Sequence, residues 1–271
     1  MGLSRILFWM GGVFLLCAAL FAFGAVVGVL TLEFSNAVVM AVLSLATGGF
    51  GLLFVLLNGE VNARETKAEA ILFLILFWIL VPAVLCLPFR FIGGSPDIIA
   101  AYFEGVSAFT TTGATRVDVD SLSRTIKFWR AFVQFFGGVS TATFAVVVLA
   151  AVNQTGTGIH KSMLFTLAQG ELFIRLLRIG RLVAGIYLFL ALVGFILMSF
   201  GGAPALDAAC LALSAISTGG MTPRVGPLEL YIPPFAATVL AVLCIFGALN
   251  IAVVWDWLRL RKFRDALRLM F

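Results

Sequence analysis

Ser107-Ala108-Phe109-Thr110-Thr111-Thr112-Gly113-Ala114-Thr115 and Ser214-Ala215-Ile216-Ser217-Thr218-Gly219-Gly220-Met221-Thr222 are two polar segments that resemble each other in an otherwise apolar chain. Each follows an apolar stretch too short to cross a bilayer and precedes one long enough to do so. Non-helical backbone at membrane depth is tolerated only where protein buries it or water lines it. A repeated Thr/Ser-Thr-Gly loop in that setting predicts an ion pathway lined by backbone carbonyls.

The setting follows from composition. The chain has 271 residues, of which 62% are hydrophobic and 11% charged. Soluble domains average about 45–50% apolar and about 25% charged. The expected fold class is an all-α integral membrane protein. The net charge of +5 comes without a basic, aromatic-interleaved face, so no nucleic-acid partner is expected. Six spans are read at 6–30, 36–57, 70–90, 128–151, 181–200 and 232–256. They put Arg90, Arg116, Arg124, Lys127, Arg130 and Arg224 on one side and the other 12 of the 18 basic residues on the side of both termini. That asymmetry makes the termini cytoplasmic, as in a multi-pass inner-membrane protein. The first apolar run, of about 25 residues, exceeds a secretory h-region of about 7–15 and reads as a retained span. Cys17, Cys86, Cys210 and Cys244 sit in apolar stretches without CxxC spacing, and His160 has no ligand cluster around it. Neither a transition-metal site nor an organic cofactor is expected.

The organisation is a two-helix hairpin and cytoplasmic loop (1–69), a first pore unit (70–151), a cytoplasmic linker (152–180) and a second unit with a basic tail (181–271). The hairpin turns around Glu33-Phe34-Ser35-Asn36. Each unit is a span, a short helix (about 96–109 or 204–216), a glycine loop and a second span. The repeat period is 106 or 107 residues, depending on whether Gly219 or Gly220 matches Gly113. Each unit makes two full crossings, so successive units enter from the same side and form a parallel repeat. Rotation about the membrane normal relates such repeats, which is the symmetry of a central pore. Ser95 as N-cap, Pro96 at the first helical position and Asp97 in the first turn start the first short helix; Pro204 and Asp207 start the second. A helix of about 14 residues rises about 20 Å, against about 30 Å of hydrocarbon. It enters from outside and stops partway, its negative C-terminal end aimed inward.

A dehydrated cation needs oxygens in place of its water shell. Glycine lets a loop aim successive carbonyls at one axis, because it reaches positive φ without steric penalty. Thr110, Thr111, Thr112 and Gly113 fit that role, as do Ser217, Thr218, Gly219 and Gly220. The competing reading, ordinary turns between helices, is weakened by the loops' matching places in the repeat.

The residues also resemble a known family. Tyr102-Phe103-Glu104-Gly105-Val106-Ser107 leading into Thr111-Thr112-Gly113-Ala114-Thr115 is similar to the first pore loop of the TrkH/KtrB/HKT superfamily of potassium transporters, and of its TrkH branch most closely. Trp129-Arg130-Ala131-Phe132-Val133-Gln134-Phe135-Phe136-Gly137-Gly138 resembles the start of the following span. Ser217-Thr218-Gly219-Gly220-Met221 resembles the second loop, with Met221 where an aromatic is more usual. Gly247-Ala248-Leu249-Asn250 and the basic tail from Arg259 to Phe271 resemble the end of the second unit.

The resemblance implies passive K+ conduction through a filter built beside one key glycine per unit, Gly113 and Gly219, with Gly220 the alternative. Family members carry four units, and two loops cannot encircle an ion. The expected partners are therefore a second copy or a second half-length chain, with membrane lipid and a cytoplasmic nucleotide-binding regulatory subunit besides. Gly137, Gly138, Ser140 and Thr141 are candidates for a constriction below the filter, and close helix packing is the plainer reading of the same residues. Arg116 and Arg130 are expected to pair with Asp118, Asp120 or Glu104 at the outer mouth. Asn250 is expected to bond a neighbouring helix rather than line the pore, and Asp256 to face headgroups. Arg175, Arg178 and Arg181 suggest contact with anionic lipid or docking of the regulatory subunit. The rival functional reading is a non-conducting scaffold of a larger complex. An enzyme is disfavoured, since no cluster of His, Asp, Glu or Cys shares one depth.

Overall fold

A computed structural model describes residues 2–59, 66–153 and 172–249. Among them the chain forms helices α1 (Gly2–Leu30), α2 (Phe34–Leu57), α3 (Lys67–Leu85), α4 (Leu87–Phe91), α5 (Ile98–Phe109), α6 (Arg124–Asn153), α7 (Leu172–Phe200), α8 (Ala205–Ile216) and α9 (Pro234–Ala248). The all-α expectation holds. His160, Asn250, Asp256 and the tail from Arg259 lie outside the described residues. Among the described residues four helical stretches are long and apolar enough to cross a membrane: Leu3–Leu30, Phe34–Leu57, Ala68–Phe91 and Arg175–Phe200. Helix α6 has 30 residues, and its first turns carry Arg124, Lys127, Arg130 and Gln134. Helix α9 is described over 15 residues. The protein is thus a multi-pass membrane protein, and large apolar side chains such as Val38, Leu45 and Phe50 on α2 are exposed.

Helices α1 and α2 pack through glycines. A methyl group added at Gly11 would lie 2.8 Å from the carbonyl oxygen of Gly51, so only hydrogen permits that approach. Ser44 Oγ donates to Ala18 O across the same seam at 2.7 Å. Two polar ties fix the hairpin to the rest at opposite ends. Near the N-terminus, Arg5 pairs with Glu69 at 2.7 Å, and Glu69 closes a capping box with Thr66. At the other end, Glu33 accepts from Arg124 N and Thr125 N, each at 2.9 Å, from Thr125 Oγ1 at 2.6 Å and from Asn36 Nδ2 at 3.0 Å. The turn itself is at Thr31-Leu32-Glu33, ahead of the expected position, and α2 already begins at Phe34.

The third span bends at Cys86. Pro88 lacks an N–H and its ring crowds the carbonyl four residues back, so α3 ends and α4 restarts. The bend frees Leu85 O, which accepts from Trp129 Nε1 at 3.1 Å. Gly105 of α5 seats against the same bend, where a methyl group would meet Cys86 Cβ at 2.6 Å. The short helix is thereby locked between α3 and α6. The second unit repeats the scheme, with α8 packed between α7 and α9 and also against α6 of the first unit.

Two helix starts differ from expectation. Asp97, not Ser95, is the N-cap of α5; its carboxylate accepts from Ala100 N at 2.7 Å. Pro204 is the N-cap of α8 rather than its first helical residue. Helix α7 is described from Leu172, so Arg175, Arg178 and Arg181 are already helical, ahead of the span expected from 181.

Glu33 yields a prediction. Its pKa lies below the ordinary 4.5: burial pushes it up, but the hydrogen bonds from Thr125, Arg124 and Asn36 together outweigh burial. A depressed carboxylate stabilises the fold above its unfolded pKa, and that contribution disappears as pH falls through the lower folded value. Glu33→Gln is expected to cost about 1 kcal/mol near neutral pH. It should also flatten the acid limb of the stability profile, checked by thermal unfolding in detergent between about pH 3 and pH 7.

Candidate functional site

The short helices α5 and α8 end in the same way. Thr110 and Ser217 close them with φ near −80°, at −81° and −82°. Thr111 and Thr218 follow with φ of 55° and 56°. Thr111 N donates to Ala108 O and Thr112 N to Ser107 O, at 3.0 and 2.9 Å; Thr218 N donates to Ala215 O and Gly219 N to Ser214 O, also at 3.0 and 2.9 Å. This is a Schellman closure with threonine where glycine normally stands. A β-branched residue with positive φ is an outlier that costs about 1–2 kcal/mol and clusters at functional sites. Gly113 and Gly220 then take φ of 80° and 76°.

These pairs, 111 with 218 and 113 with 220, fix the loop repeat at 107 residues. Gly220 is therefore the backbone counterpart of Gly113, and Gly219 is the counterpart of Thr112. The second loop carries two adjacent glycines for two different reasons. Gly220 supplies the left-handed backbone. Gly219 has no positive φ but is buried against α6, where any Cβ would meet Gln134 Oε1 at 2.5 Å and Nε2 at 2.6 Å.

Gln134 is 0% exposed and holds the second loop from behind. Its Nε2 donates to Gly219 O at 2.8 Å, and its Oε1 accepts from Ser214 Oγ at 2.9 Å and from Met221 N at 3.2 Å. The sequence reading passed over this residue, although a glutamine ten residues into an apolar helix was itself a signal. The first loop is held differently. Buried Glu104 accepts from Arg116 N at 2.6 Å and from Thr115 Oγ1 at 3.1 Å, and Ser107 Oγ donates to Ala114 O at 2.5 Å. Thr110 and Thr112 share a hydroxyl hydrogen bond of 2.8 Å. Thr112 and Ala114 are exposed, as are Thr218 and Gly220.

The two loops abut. A methyl group on Gly113 would lie 2.5 Å from Gly219 O. In an extended chain successive carbonyls point to opposite sides. A left-handed residue reverses the following peptide, so alternating handedness brings neighbouring carbonyls to one side. The arrangement can present a column of oxygens to a cation. Among the described residues no group of three or more His, Cys, Asp or Glu could hold a metal ion.

The outer ends of the loops are pinned by polar contacts. Arg224 pairs with buried Asp207 at 2.7 Å and lies over the Tyr231 ring at 5.5 Å. Val225 N donates to Asp120 Oδ1 at 3.2 Å, joining the two outer segments. The expected partners of Arg116 and Arg130 are corrected here. Arg116 meets Glu104 through its backbone N–H; buried Arg130 reaches Thr222 O at 3.5 Å and, as expected, feels the Glu104 charge, but without a close ion pair. Ion pairs among the described residues include Arg5–Glu69 and Arg224–Asp207.

The constriction candidates sit within a continuous helix. Gly137 packs on the carbonyl of Phe109 at the end of α5, with no room for a Cβ, and Gly138 packs on Ser217. Ser140 and Thr141 return their hydroxyls to Phe136 O and Gly137 O, each at 2.9 Å. Gly247 of α9 seats on Ile216 O as Gly137 seats on Phe109 O.

Comparison with known proteins agrees with this architecture. The family model described as "TrkH: Cation transport protein" matches residues 25–269. The Trk system potassium uptake protein TrkH of Salmonella typhimurium is 31% identical over 71% of this chain and 40% of its own length. The Trk system potassium uptake protein TrkG of Escherichia coli is 32% identical over 57% of this chain and 32% of its own. The crystal structure of the potassium transporter TrkH from Vibrio parahaemolyticus matches with a TM-score of 0.77 at 23% identity, covering 95% of this chain and 52% of that one. The chain thus spans about half the length of the proteins it matches.

The loop geometry makes two substitutions informative. Thr218→Gly relieves the left-handed threonine and should raise stability by up to about 1 kcal/mol, the gain being reduced by glycine's larger unfolded entropy. Gly137→Ala forces α5 and α6 apart and should cost more than about 2 kcal/mol. Thermal unfolding of the detergent-solubilised protein reads both.

Proposed function

Because the chain belongs to the TrkH family of cation transport proteins, we propose that it supplies two quarters of a potassium-conducting pore. The ion is held by backbone oxygens of Thr110 to Gly113 and of Ser217, Thr218 and Gly220, Gly219 being the part of that loop whose oxygen is taken by Gln134, and the remaining two quarters come from outside these 271 residues. The family is one of transporters, not enzymes.

One observation carries this reading: two half-length helices end in the same strained threonine-glycine backbone and stand side by side across α6. Strain repeated at equivalent positions points to a constraint that packing alone does not impose. The partial negative charge at the ends of α5 and α8 favours a cation there. Transport is passive and follows the electrochemical gradient. The repeat alignment makes Gly220, rather than Gly219, the partner of Gly113 in the filter.

The termini lie on the cytoplasmic side of the inner membrane in this proposal, opposite the glycine loops. Arg175, Arg178 and Arg181 of α7 then meet anionic headgroups or a cytoplasmic regulatory subunit.

The test is selective uptake. Cells deficient in potassium transport should recover growth at low K+ when they carry this protein together with whatever completes its pore. Gly113→Ser adds a Cβ at a left-handed position and against Gly219 O. It should reduce the preference for K+ over Na+ by roughly tenfold or more, read from ion competition of rubidium uptake. Unchanged selectivity in a protein present at normal levels would sink the filter assignment and favour a non-conducting scaffold.

A further inference from the structure

We propose that Gln134 is a positioning residue that sets the ion selectivity of the second loop from the neighbouring unit. The inference rests on the filter reading above and goes beyond it by naming a selectivity determinant outside the loops.

Gln134 belongs to α6, the second span of the first unit, yet each of its amide contacts is to the second unit. It has no exposure, and both polar atoms of its amide are engaged. The donor Nε2 takes Gly219 O, and the acceptor Oε1 takes Ser214 Oγ and Met221 N. One rigid planar group thus ties the last turn of α8, the middle of the loop and its outbound strand. Those three points bracket Thr218 and Gly220, the exposed left-handed residues whose carbonyl directions depend on how the peptides between them are turned.

Holding Gly219 O backward removes one carbonyl from the exposed side and fixes the rotation of the Gly219–Gly220 peptide. Leucine, of similar size, fills the same space and can neither donate nor accept. Gly219 O and Met221 N would then lack partners at a depth where water is scarce, and the loop would turn to satisfy them. Selectivity depends on the number and orientation of oxygens, so such a turn changes the discrimination between ions more than the folding of the helices.

The second loop's composition agrees with this role. At the position matching Gly219 the first loop has Thr112, whose side chain is exposed and bonds Thr110. A side chain is admitted where no amide presses on the backbone and excluded where Gln134 does.

The experiment replaces the native protein with variants in its own cells and measures initial K+ and Na+ uptake into membrane vesicles. Gln134→Leu should lower the K+ to Na+ uptake ratio by roughly three- to tenfold, the scale of one lost backbone hydrogen bond. Ser214→Ala, which removes only the donor to Oε1, should lower it less. A purely structural role would reduce both uptakes together with protein abundance and leave the ratio unchanged, and that result overturns the proposal. Should Gln134→Leu not accumulate, Ser214→Ala and Gln134→Asn decide by the same ratio. If Gly113→Ser shifts the ratio while the Gln134 and Ser214 variants do not, Gln134 has no role in selection and the filter reading survives. If none of them shifts it, the filter reading fails and takes this inference with it.

Discussion

A helix that stops inside hydrocarbon leaves its last carbonyls without water to bond, and in the proposed pore α5 and α8 are two such helices. Everything around α5 and α8 answers that constraint. The Schellman closures at Thr111 and Thr218 satisfy the terminal carbonyls of Ser107, Ala108, Ser214 and Ala215 internally. The returning strands then need partners of their own, and buried side chains supply them: Glu104 for the first loop, Gln134 for the second. The long helices keep lipid away from these groups. The Cys86 bend and Gly105 seat α5, Gly137 receives the end of α5, and Gly247 receives the end of α8. Small residues recur at these contacts because backbone must touch backbone there.

The polar groups buried near the loops are few, and nearly all of them act on backbone. Buried hydrogen bonds in a membrane protein add little net stability each, averaging about 0.6 kcal/mol. Their contribution here is geometric. A planar amide or carboxylate bonded at two or three points leaves a loop one conformation. The loops store strain at Thr111 and Thr218, and strained backbone persists only where its surroundings over-determine it. Gln134 and Glu104 are those surroundings.

Much of this was legible in the sequence. The apolar content gave the class, and two interrupted apolar stretches gave the half-length helices to within two residues. What the sequence hid was local. Ser95 and Asp97 are both good caps, and only the path of the chain chooses Asp97. Thr111 and Thr218 carry no sequence mark of left-handed backbone, since that conformation disfavours β-branched residues. The ambiguity between Gly219 and Gly220 had a physical origin as well. Two glycines stood together because one turns the chain and the other makes room for a neighbour. A single sequence does not separate those two demands, because both erase the Cβ.

The dependence of Gly219 on Gln134 also bears on how such a repeat can diverge. Each loop is free to change only as far as the helix beside it permits. A side chain at position 219 collides with the amide, and losing the amide strands the carbonyl that glycine exposes. Neither change is neutral first, so the pair must move together or remain fixed. The units are consequently not interchangeable modules. Grafting the first loop into the second unit would bring Thr112's side chain into the space of an amide that belongs to another part of the chain. What the second loop can carry is set across the boundary between the repeats rather than within one of them.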